Sequence, residues 1–440
     1  MRRLFCAALL AYISLSSCKH SSYDSSVMKD PLLFCKTVKQ LNDVVLENNF
    51  PPMIASRNYA YATIAAYEVM VLGDTRFQSL ATQIKHFPAL PHIDTTGADL
   101  HYATLLAFCK VGEAVTFPEG SMKKYVAKLD SLASIANMSN QMKAASKKVA
   151  DSVGGCILRW SKKDNYLQTR TASKYAVKNE EGRWIPTPPM YGQAVEPHWR
   201  EIRPMVMDSA SQFIPATAPT FDIKNKESVY YKALMEVKQT VDSLNDEQKN
   251  TADFWDDNPF KMNVSGHVMY ATKKFSPPGH WMNIVGIAAQ KSNADFGTTV
   301  AAYAETAIAL FDAFISCWDE KYRSNFVRPE TVINKYIDPD WQPYIQTPPF
   351  PSHTSGHATI SAAAAEVMTS WFGDQLSFAD TSSLEFGIKS RQIKTFRDAA
   401  REAAMSRLYG GIHYRFDNEH GNEAGTRLGL YIVQRLRMKK

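Results

Sequence analysis

The sequence predicts an all-α protein: a helical bundle with extra N-terminal helices and a long proline-rich loop. Apolar residues recur at spacings of three, four and seven through most of the chain, as in the run from Ala60 to Leu72, and this period places them on one face of a helix. We find no convincing alternation of apolar and polar residues of the kind that half-buried strands show, and no repeat at the period of a solenoid. Both observations favour helices packed on helices.

The composition is that of a folded protein with a substantial core. The chain has 440 residues, of which 45% are hydrophobic and 21% charged, which is typical of globular domains. The formal charge of +6 is small for this length and is not concentrated in one block. A nucleic-acid-binding protein would show a basic stripe or a recognisable module, so we expect no nucleic-acid partner.

The N-terminus has the pattern of an export signal. Two arginines precede an apolar run from Leu4 to Leu15 that is too short to span a bilayer, and two serines then precede Cys18. This ending resembles the bacterial lipobox, in which the cysteine is lipidated and becomes the new N-terminus. We therefore expect residues 1–18 to be a lipoprotein signal peptide, 19–30 to be a tether, and the protein to be anchored on the periplasmic or cell-surface side of a membrane. The alternative is an ordinary signal peptide with an incidental cysteine.

The rest of the chain has the pattern of a soluble body. No later segment has the ~20 uninterrupted apolar residues that a membrane-spanning helix needs. The cysteines beyond the signal show no CxxC pairing and no histidine at metal spacing, which argues against a zinc site. An exported compartment permits disulfides, but in a chain with this much core we expect buried, packed thiols; they are Cys35, Cys109, Cys156 and Cys317.

The first part of the body, residues 31–220, combines helices with an irregular stretch. Helical patterns continue to about Trp160 and are followed by seven prolines among aromatic residues between about Asn165 and Thr220. Proline at this density excludes helix interiors. Because the tryptophans of this stretch favour burial, we interpret 165–220 as an ordered loop packed over the surface and walling a cleft.

Residues 221–440 are predicted to form a C-terminal helical domain. The expected helices run from about Ser228 to Leu244, Thr298 to Tyr322, Ser355 to Trp371, Gln392 to Tyr409 and His420 to Met438. The last of these carries Gly421, Gly425 and Gly429 in one stripe. Glycine costs about 1 kcal/mol inside a helix, so three in register predict tight helix packing or a nearby ligand.

Three short segments of this domain carry residues suited to an anion. In the first, Lys321 and Arg328 are seven residues apart, which would place both heads along one helical face, with Pro329 stopping the helix. Arginine offers a planar fork for two oxygens, whereas lysine acts as a point charge. Two basic residues on a solvated face are the alternative for this segment.

The second segment opens an alanine-rich helix with Ser355, Gly356 and His357. The start of a helix presents free backbone N–H groups and the positive end of the helix dipole. Ser355 can cap the helix or donate its hydroxyl, Gly356 lets an anion approach the backbone, and His357 can exchange a proton near neutral pH. A capped helix start with a surface histidine is the alternative.

The third segment brings Arg407, His413 and Asp417 into sequence proximity. Asp417 follows His413 by one helical turn, which would bring its carboxylate to the imidazole. A carboxylate on one ring nitrogen sets the tautomer and leaves the other nitrogen as a nucleophile or ligand. A buried His–Asp pair without chemistry is the alternative.

In sequence order the three segments read Lys-x6-Arg-Pro, Ser-Gly-His and Ser-Arg-x5-His-x3-Asp. This resembles the signature of the superfamily that joins vanadium-dependent haloperoxidases with type 2 phosphatidic acid phosphatases and bacterial acid phosphatases. The resemblance is strong over about residues 298–432 and fainter around Phe254–Trp255 and Pro277–Trp281. Before about residue 220 it extends only to generic helices.

The resemblance implies a role for each residue. Lys321, Arg328, Arg407, Ser355 and the Gly356 N–H would hold the oxygens of phosphate or vanadate. His413 would attack phosphorus or ligate the vanadium of vanadate, oriented by Asp417, and His357 would be the general acid–base. Both chemistries suit one site, because five-coordinate vanadate resembles the transition state of phosphoryl transfer.

Two branches of the superfamily and one non-enzymatic function remain open at this point. We favour a haloperoxidase that uses vanadate, hydrogen peroxide and a halide, because of the chain length and the tryptophan-rich middle of the chain. Trp318 and Phe350 resemble aromatics beside vanadate in fungal-type chloroperoxidases, and core packing is the alternative for both. His353 is a further candidate for the halide or substrate pocket; His353-Thr354 stands where many haloperoxidases have Tyr-Pro. The alternatives are a soluble acid phosphatase that acts on a phosphomonoester through a phosphohistidine at His413, and a non-catalytic ligand-binding surface lipoprotein. Halide, organic substrate and oligomeric state are left open.

Overall fold

Helices make up nearly all of the regular structure. The computed structural model describes residues 22–259, 261–265, 268–271 and 274–440, so the predicted signal peptide and Cys18 lie outside the described residues. In chain order the helices are α1 (Pro31–Glu47), α2 (Pro52–Val71), α3 (Leu100–Ala114), α4 (Lys123–Ile135), α5 (Asn140–Ser161), α6 (Tyr166–Thr171), α7 (Val229–Asp242), α8 (Asp246–Phe254), α9 (Pro277–Lys291), α10 (Phe296–Ser324), α11 (Pro329–Tyr336), α12 (Gly356–Phe372), α13 (Phe396–Tyr409) and α14 (Arg415–Arg435). The predicted all-α class is confirmed.

Two short antiparallel hairpins accompany the helices among the described residues. They pair β1 (Met262–Ser265) with β2 (Val268–Ala271) and β3 (Phe378–Asp380) with β4 (Arg391–Ile393). Strands of three or four residues are too short to show an alternating pattern, so the sequence did not predict them. β4 occupies residues that we expected to begin a helix, and α13 starts only after Thr395, whose side chain accepts a hydrogen bond from the Asp398 N–H.

The long helix α10 forms the centre of the molecule. Asp295 caps its N-terminus by accepting from the Thr298 N–H, and Asn325 ends it in the left-handed region at φ 48°. It packs against α1, α2, α9, α12 and α14. Its length and apolar composition would suit a membrane span, but its apolar stretch is entirely buried inside the protein. The larger of two hydrophobic cores among the described residues, running from Met28 to Met438, surrounds α10 and joins both halves of the chain.

A buried carboxylate on α10 ties down the proline-rich segment. Asp312 accepts hydrogen bonds from the consecutive N–H groups of Met205, Val206 and Met207, at 2.7, 2.8 and 3.0 Å. Trp184 and Trp199 of the same segment are fully buried. The segment is thus ordered and packed, as expected, and it lies against α10. The prediction that it walls a cleft is not met at the candidate cavity described below, whose lining residues come from other parts of the chain.

The cysteines beyond the signal that the structure describes are free thiols. Cys109, Cys156 and Cys317 are buried, and Cys35 is partly exposed.

The glycine stripe of α14 packs directly on α12. A Cβ at Gly425 would lie 2.1 Å from the Thr359 carbonyl oxygen, and one at Gly429 would lie 2.7 Å from that of Ala363. α14 begins at Arg415, five residues earlier than expected, and this places its first turn beside the start of α12. The Ser355 N–H donates to the Asp417 carbonyl at 3.0 Å and links the two helix starts.

We predict that Gly425→Ala destabilises the protein by about 3 kcal/mol, because the added methyl group forces two helix backbones apart. Gly155→Ala in α5 is the matched control, since its Cβ would meet only the end of the Arg159 side chain at 3.6 Å. That change should stabilise by about 0.5 to 1 kcal/mol through the helix propensity of alanine. Chemical denaturation measures both. Equal effects of the two substitutions would contradict the packing argument.

Candidate active site

The three sequence segments converge on one buried site. Lys321 comes from the last turn of α10, His357 from the first turn of α12 and Arg407 from the last turn of α13, while Arg328 and His413 immediately precede α11 and the cap of α14. A cavity lies beside these residues; His357, Arg407 and His413 line it, whereas Lys321 and Arg328 do not. Its lining includes Pro52, Asp257, Asn258, Pro259, Pro277, Phe314, Trp318, Pro348, Phe350, Gly356, His357, Arg407, Ile412 and His413.

Lys321 and Arg328 reach the site by a different route from the one expected. They do not share a helical face, because α10 ends at Ser324 and Asn325 reverses the chain in the left-handed region. Arg328 is the N-cap residue of α11, and Pro329 begins that helix instead of stopping the earlier one. The predicted continuation of one helix from Lys321 to Arg328 was wrong. The prediction that both cations meet does not depend on that continuation.

Arg328 is held by main-chain carbonyls. Its Nε donates to the Phe350 oxygen at 2.9 Å and its Nη1 to the Ile412 oxygen at 2.7 Å. The same Nη1 lies 3.1 Å from Nε2 of His413. Nη2 is buried and has no partner among the described residues. Burial lowers the pKa of Arg328 to about 10.

Lys321 is fully buried and is also held by carbonyl oxygens. Its Nζ donates to Pro351 at 2.8 Å and to Ser352 at 3.0 Å. Burial, with a smaller contribution from Arg328, lowers the pKa of Lys321 to about 7. A negatively charged ligand would reverse this shift, because it stabilises the protonated amine.

Arg407 completes the set of cations. Its Nη2 donates to the Trp255 carbonyl at 2.7 Å, and its Nε lies 3.0 Å from the Ser406 hydroxyl. Burial lowers its pKa, while the carboxylates of Asp256 and Asp257 act in the opposite direction. Among the described residues, none of Lys321, Arg328 and Arg407 has a carboxylate within ion-pair distance. The site therefore concentrates buried positive charge that an anion can neutralise.

His413 is oriented by Asp417 from behind. Its Nδ1 lies 2.9 Å from Oδ2 of Asp417, which also accepts from the Ser352 hydroxyl at 2.5 Å. Because Arg328 donates to Nε2 of His413, that nitrogen carries the lone pair, and Nδ1 carries the proton shared with Asp417. Burial, with the nearby cations Arg328 and Lys321, holds the pKa of His413 well below its ordinary value. Nε2 is thus available as a neutral ligand or nucleophile.

The start of α12 supplies the remaining groups. Ser355 caps the helix by accepting from the Ala358 N–H at 3.4 Å. Gly356 leaves the wall open, since a Cβ there would meet only the Trp318 ring, at 3.6 Å. His357 bonds to the main chain of Trp255, and its buried Nε2 has no partner among the described residues. Burial and the neighbouring Arg407 and His280 hold the pKa of His357 well below its ordinary value. The imidazole is therefore neutral.

Two of the three proposed pocket residues line the cavity. The rings of Trp318 and Phe350 lie 5.1 Å apart, beside the Nζ of Lys321. His353 does not line it, and the prediction for this residue was wrong. Its imidazole is fully buried elsewhere, with Nδ1 2.9 Å from Glu320 and Nε2 3.0 Å from His420.

Three contributors to the site were missed in the sequence. The Trp255 carbonyl holds Arg407 and bonds His357, Ser352 supports Asp417, and Asp257 lines the cavity. The faint resemblance around Phe254–Trp255 was the available signal for the first. Every residue has a main-chain carbonyl, so the identity of residue 255 could not show that its carbonyl would bind Arg407 and His357.

A tetrahedral or five-coordinate oxyanion suits this site. Arg328 Nη2 and His357 Nε2 are buried polar atoms without partners among the described residues, and the groups that bond the three cations there are uncharged. Vanadate would be held through its oxygens by Lys321, Arg328, Arg407 and the N-terminal turn of α12, with His413 Nε2 as the ligand of the vanadium.

Comparison with known proteins identifies relatives of this chain. A family model described as the VCPO second helical-bundle domain matches residues 301–439. The structure of the first bacterial vanadium-dependent iodoperoxidase is 40% identical, with a TM-score of 0.88 over 93% of this chain and 97% of that one. The holo and apo forms of a bacterial vanadium-dependent chloroperoxidase are 16% identical, with TM-scores of 0.66 over 88% of this chain and 92% and 94% of theirs. These last two show likeness of fold. No curated protein matches the sequence.

The geometry assigns the two histidines of the cavity different tasks, and we predict different losses. His413→Ala should abolish or strongly weaken vanadate binding, because it removes the ring nitrogen Nε2 that Asp417 orients toward the site. His357→Ala should still bind vanadate through the cations, while turnover falls ~100- to 10,000-fold with loss of the proton-transfer group. Asp417→Asn should lie between them, since it disturbs the tautomer and keeps the ligand.

Calorimetric titration with orthovanadate and the halide oxidation rate measure these two properties separately. Equal loss of vanadate binding in both histidine variants, with folding intact, would show that the roles are assigned wrongly.

Proposed function

The chain belongs to the vanadium-dependent haloperoxidases, and from this premise we propose that it is an iodoperoxidase, which uses hydrogen peroxide to oxidise iodide to hypoiodous acid. In the balanced reaction, hydrogen peroxide, iodide and one proton give hypoiodous acid and water. The peroxide O–O bond breaks, an O–I bond forms, and iodide loses two electrons. The observation that carries the proposal is the cluster of buried cations and the oriented His413 beneath an aromatic cavity wall, in a chain that matches an iodoperoxidase over nearly its whole length.

Each part of the site contributes a defined physical effect. When bound, vanadate supplies a Lewis-acidic centre that makes peroxide oxygen electrophilic toward a halide. Lys321, Arg328 and Arg407 offset the negative charge of the oxyanion in a region shielded from water, where each interaction is stronger than in solvent. His413 would bind the vanadium through Nε2, and Asp417 and Ser352 hold its ring in place. His357 Nε2 faces the cavity as a neutral base that can take a proton from incoming peroxide and later return it to the leaving oxygen.

The cavity walls favour iodide among the halides. Phe314, Trp318 and Phe350 line the cavity together with prolines. An anion that enters such a wall loses hydration, and this loss costs least for the largest and most weakly hydrated halide. Iodide is also the halide most easily oxidised. The same cations would hold phosphate, so phosphomonoester hydrolysis is the reaction to measure beside it.

We predict that the purified protein, incubated with orthovanadate, oxidises iodide rapidly in the presence of peroxide and hydrolyses p-nitrophenyl phosphate slowly or not at all. Protein stripped of vanadate should lose the peroxidase activity and regain it when orthovanadate is restored. Triiodide formation and bromination of a dye, measured under the same conditions, give the halide preference. Faster bromination than iodide oxidation would contradict the halide assignment, and phosphatase activity without peroxidase activity would contradict the function.

We further propose that the protein is exported and lipidated at Cys18, on the evidence of the basic start, the short apolar run and the serines that precede this cysteine. Cys18→Ala should release the protein from the membrane fraction or block its processing. Fractionation and mass spectrometry of the mature N-terminus measure the outcome, and Cys35→Ala is the control because that thiol lies within the folded helix α1. Unchanged membrane partitioning of Cys18→Ala would contradict the anchor.

A further inference from the structure

A histidine outside the predicted site lies between two carboxylates. His280, near the start of α9, places Nδ1 2.9 Å from Oδ2 of Asp257 and Nε2 2.9 Å from Oδ2 of Asp380. His280 and Asp380 are fully buried, and Asp257 is nearly so. Both ring nitrogens therefore face acceptors, and only a doubly protonated imidazole can donate to both.

Asp257, His280 and Asp380 form a triad, and its surroundings favour the charged imidazole. Burial alone would lower the pKa of His280, but Asp257 and Asp380 outweigh it and raise that pKa to about 10. The indole of Trp255 stacks on the imidazole, with centroids 4.7 Å apart and planes at 24°, which adds a favourable cation–π contact. Asp380 is fixed in turn by the Ser382 N–H, which donates to its Oδ1 at 2.9 Å. The triad thus carries two negative charges and one positive charge.

One end of the triad reaches the active site. Asp257 lines the cavity beside His357, Arg407 and His413, and it acts electrostatically on Arg407. A bare carboxylate in this wall would repel a bound oxyanion. Its neighbour Asp256 is paired instead with Lys261, at 3.0 Å. The partner of Asp257 is His280.

We propose that His280 is a positioning residue that holds Asp257 against the cavity wall and offsets part of its negative charge, and thereby sets how tightly the site binds an oxyanion. Asp380 keeps His280 charged and aligned from the opposite side. His280 is not among the residues that line the cavity, and its effect passes through Asp257. The inference rests on the assignment of this cavity as the vanadate site.

A double-mutant cycle on Asp257 and His280 tests the proposal with a readout independent of catalysis. The probe is inorganic phosphate, which has the tetrahedral oxygens of vanadate, titrated calorimetrically into vanadate-free protein. His280→Gln keeps a donor amide but leaves the carboxylate of Asp257 uncompensated, so the dissociation constant should rise roughly tenfold. Asp257→Asn removes the repelling charge, and the dissociation constant should fall roughly threefold.

The double variant identifies the route of the effect. If His280 acts through Asp257, loss of His280 matters little once Asp257 is neutral, and the double variant should bind phosphate within about threefold of Asp257→Asn. Weaker binding in both single variants, with the double variant weakest, would mean that the triad only supports the fold and would overturn the proposal.

Thermal unfolding of each variant identifies any that fail to fold. If His280→Gln does not fold, Asp257→Asn alone decides, because the proposal requires it to bind phosphate more tightly than the wild type. Absence of phosphate binding by the wild type would overturn the oxyanion site itself, together with this inference. Normal binding by the wild type, with the wrong sign in Asp257→Asn, would overturn only the role of His280.

Discussion

Main-chain carbonyl oxygens hold the three cations of this site, and the arrangement of the surrounding helices and loops depends on these hydrogen bonds. Lys321, Arg328 and Arg407 donate to carbonyls of the 350–352 loop, of Ile412 and of Trp255. A carbonyl holds a guanidinium or an amine in place and leaves its positive charge uncompensated. A carboxylate would cancel that charge. Irregular chain must therefore reach the site from several directions, because carbonyls inside helices already accept hydrogen bonds.

Helix packing determines how closely the two functional helix starts approach. The glycines of α14 let its backbone touch the carbonyls of α12. In this arrangement the Ser355 N–H donates to the Asp417 carbonyl, so the N-terminal turn of α12 is bonded directly to the residue that orients His413. A wider separation would leave the helix dipole of α12 and Nε2 of His413 unable to act on one ligand.

The site sets the charge of each histidine through its partners. His413 has one carboxylate and several cations around it, and it stays neutral with its lone pair on Nε2. His280 has two carboxylates and is charged. His357 has a main-chain partner and neighbouring positive charge, and it is neutral. Three imidazoles close to one another are thus suited to the proposed roles of ligand, counter-ion and base, and burial amplifies each difference because charges interact more strongly away from water.

The sequence by itself determined the features that depend on neighbours within a turn or two: most of the longer helices, the cap at Ser355, the close packing at the glycines of α14 and the pairing of His413 with Asp417. The resemblance carried by the three segments also predicted their convergence. Only the tertiary structure decided how Arg328 turns toward Lys321 after α10 ends, and that His353 faces Glu320 and not the cavity. It also assembled His280 with Asp257 and Asp380, which are 23 and 100 residues away. Local periodicity cannot express such contacts, because they depend on how whole helices and loops pack against one another.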